Sequence, residues 1–114
     1  MPLFEKARIE VYLPDLPRPA YQELLDLLAL EFTYTFGGCS VMRGVEGLYL
    51  SRLGQMVPDR VNLLFTDADV PFDANLAIVS YYTDCLRAIA FDALNEEAVL
   101  VVAYKVHHSI DRDL

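Results

Sequence analysis

Apolar side chains alternate strictly near the start of the chain. Ile9, Val11 and Leu13 fall on one side of an extended backbone and Arg8, Glu10 and Tyr12 on the other, which predicts a half-buried strand over 8–13. Pro14, Pro17 and Pro19 end it by removing backbone donors, and Pro19 suits the first turn of a helix. From Ala20 to Phe36 the period changes to three and four. Tyr21, Leu24, Leu25, Leu28, Phe32 and Phe36 trace one helical face. Leu27, Leu30 and Tyr34 widen the apolar surface beyond that stripe and predict a second neighbour for this helix besides the sheet. Gly37 supplies the left-handed residue that commonly closes a helix.

Past the glycine turn, Cys39–Met42 reads as a short extended piece before Gly44 and Gly47 break regularity. Leu48–Leu53 and Arg60–Thr66 then read as a hairpin pair around a loop at Gly54–Asp59. In the second of these strands Val61, Leu63 and Phe65 alternate with Asn62, Leu64 and Thr66, so one face is fully apolar and the other mixed. Asp67–Asp73 reads as a loop, with Asp73 as N-cap of a second helix. Ile78, Val79, Tyr82, Leu86, Ile89 and Ala93 form that helix's expected buried stripe, and Asn95, Glu96 and Glu97 close it. Ala98–Val106 is a β-branched run apolar on both faces and predicts a last strand.

The order is strand, helix, strand, strand, helix, strand: β-α-β twice over. Two such units fold most simply as the ferredoxin-like βαββαβ sandwich of the α+β class, a four-stranded antiparallel sheet with both helices on one face. A length of 114 residues with 54% hydrophobic composition fits a single domain over 1–114 with one core. This architecture leaves one sheet face open to water, yet the last strand is apolar on both sides. An exposed apolar patch of that kind marks an interface, so a homodimer of twofold symmetry, or a ligand lying on the sheet, is expected to cover it.

Charge narrows the partners. A net charge of −8 opposes nucleic acid and anionic membranes, which draw affinity from Lys and Arg, and keeps an apolar-rich chain in solution. The two cysteines, Cys39 and Cys85, belong to no metal-spaced or redox pair. Free thiols, no leader-like start and no long apolar run give the expectation of a cytoplasmic chain.

All five glycines lie between Phe36 and Gly54, together with Cys39, Arg43, Glu46 and Arg52. The stretch follows a helix and leads into strands without a Gly-Lys-Ser/Thr ending, so it is no phosphate loop, and turns and bulges explain its glycines. Arg43, Arg52 and Arg60 within or beside it keep a small anionic ligand open. Cys39 could pair with His107 or His108 as a thiolate, though a small buried thiol is the simpler account. The two histidines are neighbours on extended backbone and point to opposite faces, so they cannot readily share a metal. The acidic run Asp67-Ala-Asp-Val-Pro starts like a calcium loop and fails at Val70 and Pro71. The commonest hydrolase signatures are absent, and no cofactor is expected.

The pattern Thr35–Ser40, Arg43–Gly47, Leu50–Gly54 and Pro58–Val61 resembles small uncharacterised ferredoxin-like families, cyanobacterial proteins of unknown function among them. In these a glycine pair closes the first helix and a glycine-bearing turn enters a hairpin. The resemblance implies the fold and brings no activity or catalytic residues with it.

The leading expectation is a non-enzymatic dimeric module that binds a small ligand or protein partner at the open sheet face and the glycine hairpin. Cys39, Arg43, Glu46, Tyr49, Arg52 and His107 are its candidate ligand residues, and Tyr12, Tyr49 and Tyr104 supply amphipathic surface. The rival is a cofactor-free enzyme of the dimeric α+β barrel type. It needs a pocket where His107 or His108, as base, converges with Arg43 or Arg52. A purely structural subunit is the third reading, and fold analogy alone cannot choose among them.

Overall fold

The computed structural model describes residues 3–94 and 99–109. Strand β1 spans Leu3–Pro14, helix α1 Pro19–Phe36, β2 Ser40–Leu50, β3 Met56–Ala68, helix α2 Leu76–Leu94 and β4 Leu100–Ser109, with a 3-10 turn at Asp73–Asn75 before α2. All strand pairings are antiparallel and the sheet order is β2-β3-β1-β4. This is the ferredoxin-like arrangement the alternating periods predict.

The boundaries of α1 follow from its local chemistry. Pro19 sits in the first turn, and Gly37 closes the helix at φ 90° with its N–H donating to the Thr33 carbonyl. Tyr21, Leu24, Leu25, Leu28 and Phe32 are buried, as their spacing predicts. Leu24, Leu25, Leu28 and Phe32 meet Ile9, Val11, Leu13, Leu64, Leu86 and Ala90 in the main core. The second neighbour of α1 is α2, met through Phe36 and Glu31, which both contact Tyr82, and not through Leu27, Leu30 and Tyr34, which are exposed among the described residues.

Helix α2 corrects the predicted stripe. Val79, Leu86 and Ala90 are buried, whereas Ile78 and Ile89 are exposed, as is Ala93. Apolar neighbours at 78/79 and 89/90 left the period two solutions, and packing on the sheet took the second of each pair. Asp73 lies in the 3-10 turn and not at the N-cap, and its carboxylate accepts a 2.6 Å bond from Lys105 Nζ. The expected closing residues Asn95, Glu96 and Glu97 lie outside the described residues.

The hairpin differs most from expectation. Strand β2 begins at Ser40 and runs through Gly44 and Gly47 to Leu50, and Ser51 and Gln55 close a loop of Arg52, Leu53 and Gly54. Gly54 N–H donates to Ser51 O, Ser51 N–H to Gln55 O, and Gly54 adopts φ 77°, the pattern of a three-residue hairpin loop with glycine at its left-handed position. Pro58, placed by sequence in the loop, is instead inside β3. Arg60, two residues on, directs its carbonyl to Asp15 N–H on the β1 side, so Pro58 directs its missing donor to that side as well. There β1 has already ended, and the ladder to β2 loses nothing.

As a result the hairpin projects. The molecule measures 48 × 30 × 29 Å with a radius of gyration of 15.8 Å, against about 13 Å for a globule of this length.

Candidate functional site

The register shows which face of each strand lies under the helices. Ile9 pairs with Thr66, Val11 with Leu64 and Leu13 with Asn62, and all six are buried. The mixed face of β3 is therefore the covered one, and Val61, Leu63 and Phe65 look onto the open side. Asn62 and Thr66 tolerate burial because each finds a partner. Thr66 Oγ1 donates to Gly38 O at 2.6 Å, while Asn62 accepts from Gly44 N–H at 2.9 Å and donates to Asp15 Oδ1 at 3.3 Å.

Three rows cross the open face over β3, β1 and β4: Asp67, Arg8, Tyr104; then Phe65, Glu10, Val102; then Leu63, Tyr12, Leu100. Arg8 grips Asp67 with two bonds of 2.7 and 2.9 Å and lays its guanidinium 4.5 Å from the Phe65 ring centroid. The carboxylate of Asp67 raises the Arg8 pKa further, so the guanidinium stays charged. Glu10 is only 7% exposed although no helix covers it. Its carboxylate accepts from Tyr12 OH at 2.8 Å and from Tyr104 OH. Those hydrogen bonds, with smaller contributions from burial, push both phenols above their ordinary pKa. The three rows are thus aromatic and aliphatic around one ion pair, Arg8 with Asp67, and one carboxylate held by two phenols, a surface suited to being covered.

Next to this face stands the arm. A register shift between Met42 and Val45 marks a bulge, with Gly44 at φ 64°. Asn62 holds the Gly44 N–H, and the Arg60 guanidinium lies where a Cβ on residue 44 would stand, 2.5 Å from Nη2. Arg60 Nε in turn lies 3.6 Å from Asp15 Oδ2. Bulges bend a ribbon and increase its twist, so these four residues set the direction in which the arm leaves the body. Beyond them Leu48, Tyr49, Leu50, Leu53 and Met56 are all exposed. A two-stranded ribbon by itself is at best marginally stable in water.

Arg43 lies at the bulge in solvent, with a long 3.5 Å contact to Gln22 Oε1. Arg52 is exposed at the hairpin tip, and Tyr49 is exposed on the arm. Glu46 lines a shallow cavity of about 590 Å³ with Gly47, Leu48, Pro58, Asp59 and Arg60. Cys39 is half-buried, lines a separate cavity of about 300 Å³ beside Gly37, Gly38 and Phe65, and has its thiol pKa pushed up by burial. That opposes a thiolate at neutral pH. His107 is exposed on β4, opposite Glu5 of β1. Arg43 and His107 occupy opposite edge strands with two strands between them, a separation of about 14 Å by strand spacing. The convergence of histidine and arginine required by the enzyme reading is therefore not formed within one chain.

Among the described residues no group of three or more His, Cys, Asp or Glu is placed to hold a metal ion. No described helix is long and apolar enough to cross a membrane.

Sequence reasoning missed Glu10, Arg8 with Asp67, and Asn62. Tyr12 was a signal for the first, since alternation places it on Glu10's face, but Tyr104 reaches Glu10 only through the pairing of β1 with β4.

The fold and its surfaces define a protein of the ferredoxin-like α+β class. No family model matches the chain, and no curated protein sequence matches it. Among solved structures it is similar to CutA1 from Oryza sativa, with 15% identity, TM-score 0.58, and 95% of this chain and 85% of that one covered. It is also similar to the divalent cation tolerance protein CutA1 from Thermus thermophilus, with 14% identity, TM-score 0.53, and 89% and 82% covered. A phage SAM lyase in complex with S-methyl-5'-thioadenosine matches at 14% identity and TM-score 0.50, over 90% of each chain. At these identities the likeness is one of fold. Of the resemblance stated from sequence, the ferredoxin-like architecture stands.

Proposed function

We propose that this protein is a self-associating module, in which the open sheet face and the hairpin arm of one copy are covered by another copy of the same chain. The observation that carries this reading is the arm: Leu48, Tyr49, Leu50, Leu53 and Met56 stand in solvent on a two-stranded ribbon with no helix over it. Such a ribbon needs a covering surface, and the apolar rows of the open face beside it are the same kind of surface. A second copy suits both, because the polar groups in the middle of that face already bond one another within the chain, Arg8 with Asp67 and Glu10 with its two phenols.

The smallest closed assembly is the twofold homodimer. If the arm of each copy reaches the open face of the next, the contact is heterologous and closes as a larger ring. The hairpin residues Arg43, Glu46, Tyr49 and Arg52 then lie at or beside the interface, where a ligand or a second protein would meet two chains.

Sedimentation at micromolar concentration tests this, with a mass of two or more times 12.9 kDa expected. Leu50→Asp with Leu53→Asp should yield a folded monomer. A wild-type chain that sediments only as a monomer overturns the proposal.

A further inference from the structure

We propose that the outer face of the helix layer is a docking groove for a basic amphipathic helix of another protein. On α1, Leu27, Leu30 and Tyr34 recur at steps of three and four, turned away from buried Leu24, Leu25, Leu28 and Phe32. Tyr34 is 86% exposed. On α2, Ile78, Tyr81, Cys85 and Ile89 recur at steps of three, four and four, with Ile78 at 69% and Tyr81 at 72% exposure. Each helix thus carries a second apolar seam, distinct from the one it buries on the sheet and spaced as helix-to-helix contacts are spaced.

One end of the groove holds an anchor point. The Tyr82 ring meets Phe36 edge to face at 5.3 Å, and its hydroxyl donates to Glu31 Oε2 at 2.9 Å, which ties α1 to α2. Beside this tie a cavity of about 530 Å³ opens between Thr35, Phe36, Ile78 and Val79 and reaches down to Ile9 and Ala68. A large apolar side chain from a docked helix fits such a recess, which is where binding energy concentrates in helix-in-groove recognition.

Charge decides what kind of helix. The exposed acids Glu23, Asp26, Glu31, Asp84 and Asp92 border the seams, and the one base carried on the described residues of the two helices is Arg87, itself 3.7 Å from Asp84. Another copy of this chain would bring an equally acidic helix layer, and like-charge contact disfavours it. A partner helix with Lys and Arg flanking its apolar stripe is complementary in both shape and sign.

Fluorescence anisotropy with a labelled synthetic peptide of about 18 residues, five helical turns, tests the proposal. The peptide carries Leu at heptad spacing and Lys elsewhere, and its control carries Glu in place of Lys. Saturable micromolar binding of the Lys peptide is expected, with the Glu peptide about tenfold weaker or more. Ile78→Ser with Tyr81→Ser should weaken the Lys peptide about tenfold. Independently, Glu23→Lys, Asp26→Lys and Asp92→Lys together should reverse the preference between peptides, so the inference is testable even if the first variant fails to fold. Absence of saturable binding, equal binding of both peptides, or binding unmoved by the charge variant would overturn it. A change in the oligomeric mass of the charge variant would also overturn it, since a second copy would then be the occupant.

Discussion

Strand β3 passes through two environments. From Val61 to Ala68 its residues alternate between the helix layer and the open face, every second one buried. From Met56 to Arg60 the same strand pairs only with β2, and all its residues but the half-buried Val57 are exposed. The inner half is paired with β1 along its length and with β2 over most of it, the outer half with β2 alone. Side-chain cover differs as well: Leu64 lies in the core with Leu25, Leu28 and Phe32, whereas Met56 and its partner Leu50 rest against water. Ladder bonds alone contribute little net stability, and the burial of apolar area provides most of it. The body is thus stabilised from within, and the arm depends on what it meets.

The largest effect should come from truncating one residue of the body and, for comparison, one of the arm. Phe32→Ala removes a side chain with no solvent exposure, costing about 3–5 kcal/mol, a large share of the roughly 5–15 kcal/mol typical of a domain. Urea unfolding should show this as a collapsed midpoint. Leu53→Ala, at an 87% exposed site, should leave the stability of the monomer within about 0.5 kcal/mol while weakening assembly in sedimentation. Equal losses of stability in the two variants would erase the distinction between body and arm.

The junction should respond next. Gly44→Ala meets both a left-handed backbone and the Arg60 guanidinium, and is expected to cost about 1–2 kcal/mol. A Cβ on Gly47 meets nothing within 4 Å, so Gly47→Ala should change stability by less than about 0.5 kcal/mol. Similar melting shifts for the two alanines would show that the bulge does not set the arm.

The open face offers a smaller, pH-dependent handle. Hydrogen bonding to Glu10 raises the folded pKa of Tyr12 and Tyr104 above the ordinary 10.0. The stability linked to this is complete below the unfolded value and lost as pH rises through the higher folded values. In an alkaline absorbance titration Glu10→Gln should bring phenolate formation back toward the ordinary range, and an unchanged curve would contradict the triad. Least of all, Arg43→Ala should leave stability within about 0.5 kcal/mol, because its one contact is long and exposed. A clear loss of assembly in that variant would move the interface onto the bulge.

Much of this was legible beforehand. Alternation found β1, periods of three and four found α1 with its buried face, and the prolines and Gly37 bracketed it. The glycine stretch was the least legible part. Gly44 and Gly47 read as breaks in regular structure, yet both sit inside β2, because pairing with β3 and the bond from Gly44 N–H to Asn62 hold the chain extended through them. Likewise alternation showed one apolar and one mixed face on β3 without saying which is covered; Gly38 O, Gly44 N–H and Asp15 give Thr66 and Asn62 their partners under the helices.

What the sequence by itself determined is the order and type of elements, since periodicity and turn chemistry are properties of neighbours along the chain. Only the tertiary structure decided which face each strand shows, where β2 begins, that Glu10 is enclosed by two phenols, and that α2 buries Val79 and Ala90 while Ile78 and Ile89 look outward. Those features depend on strand register and helix rotation about the sheet, which are fixed by contacts between residues far apart in the chain.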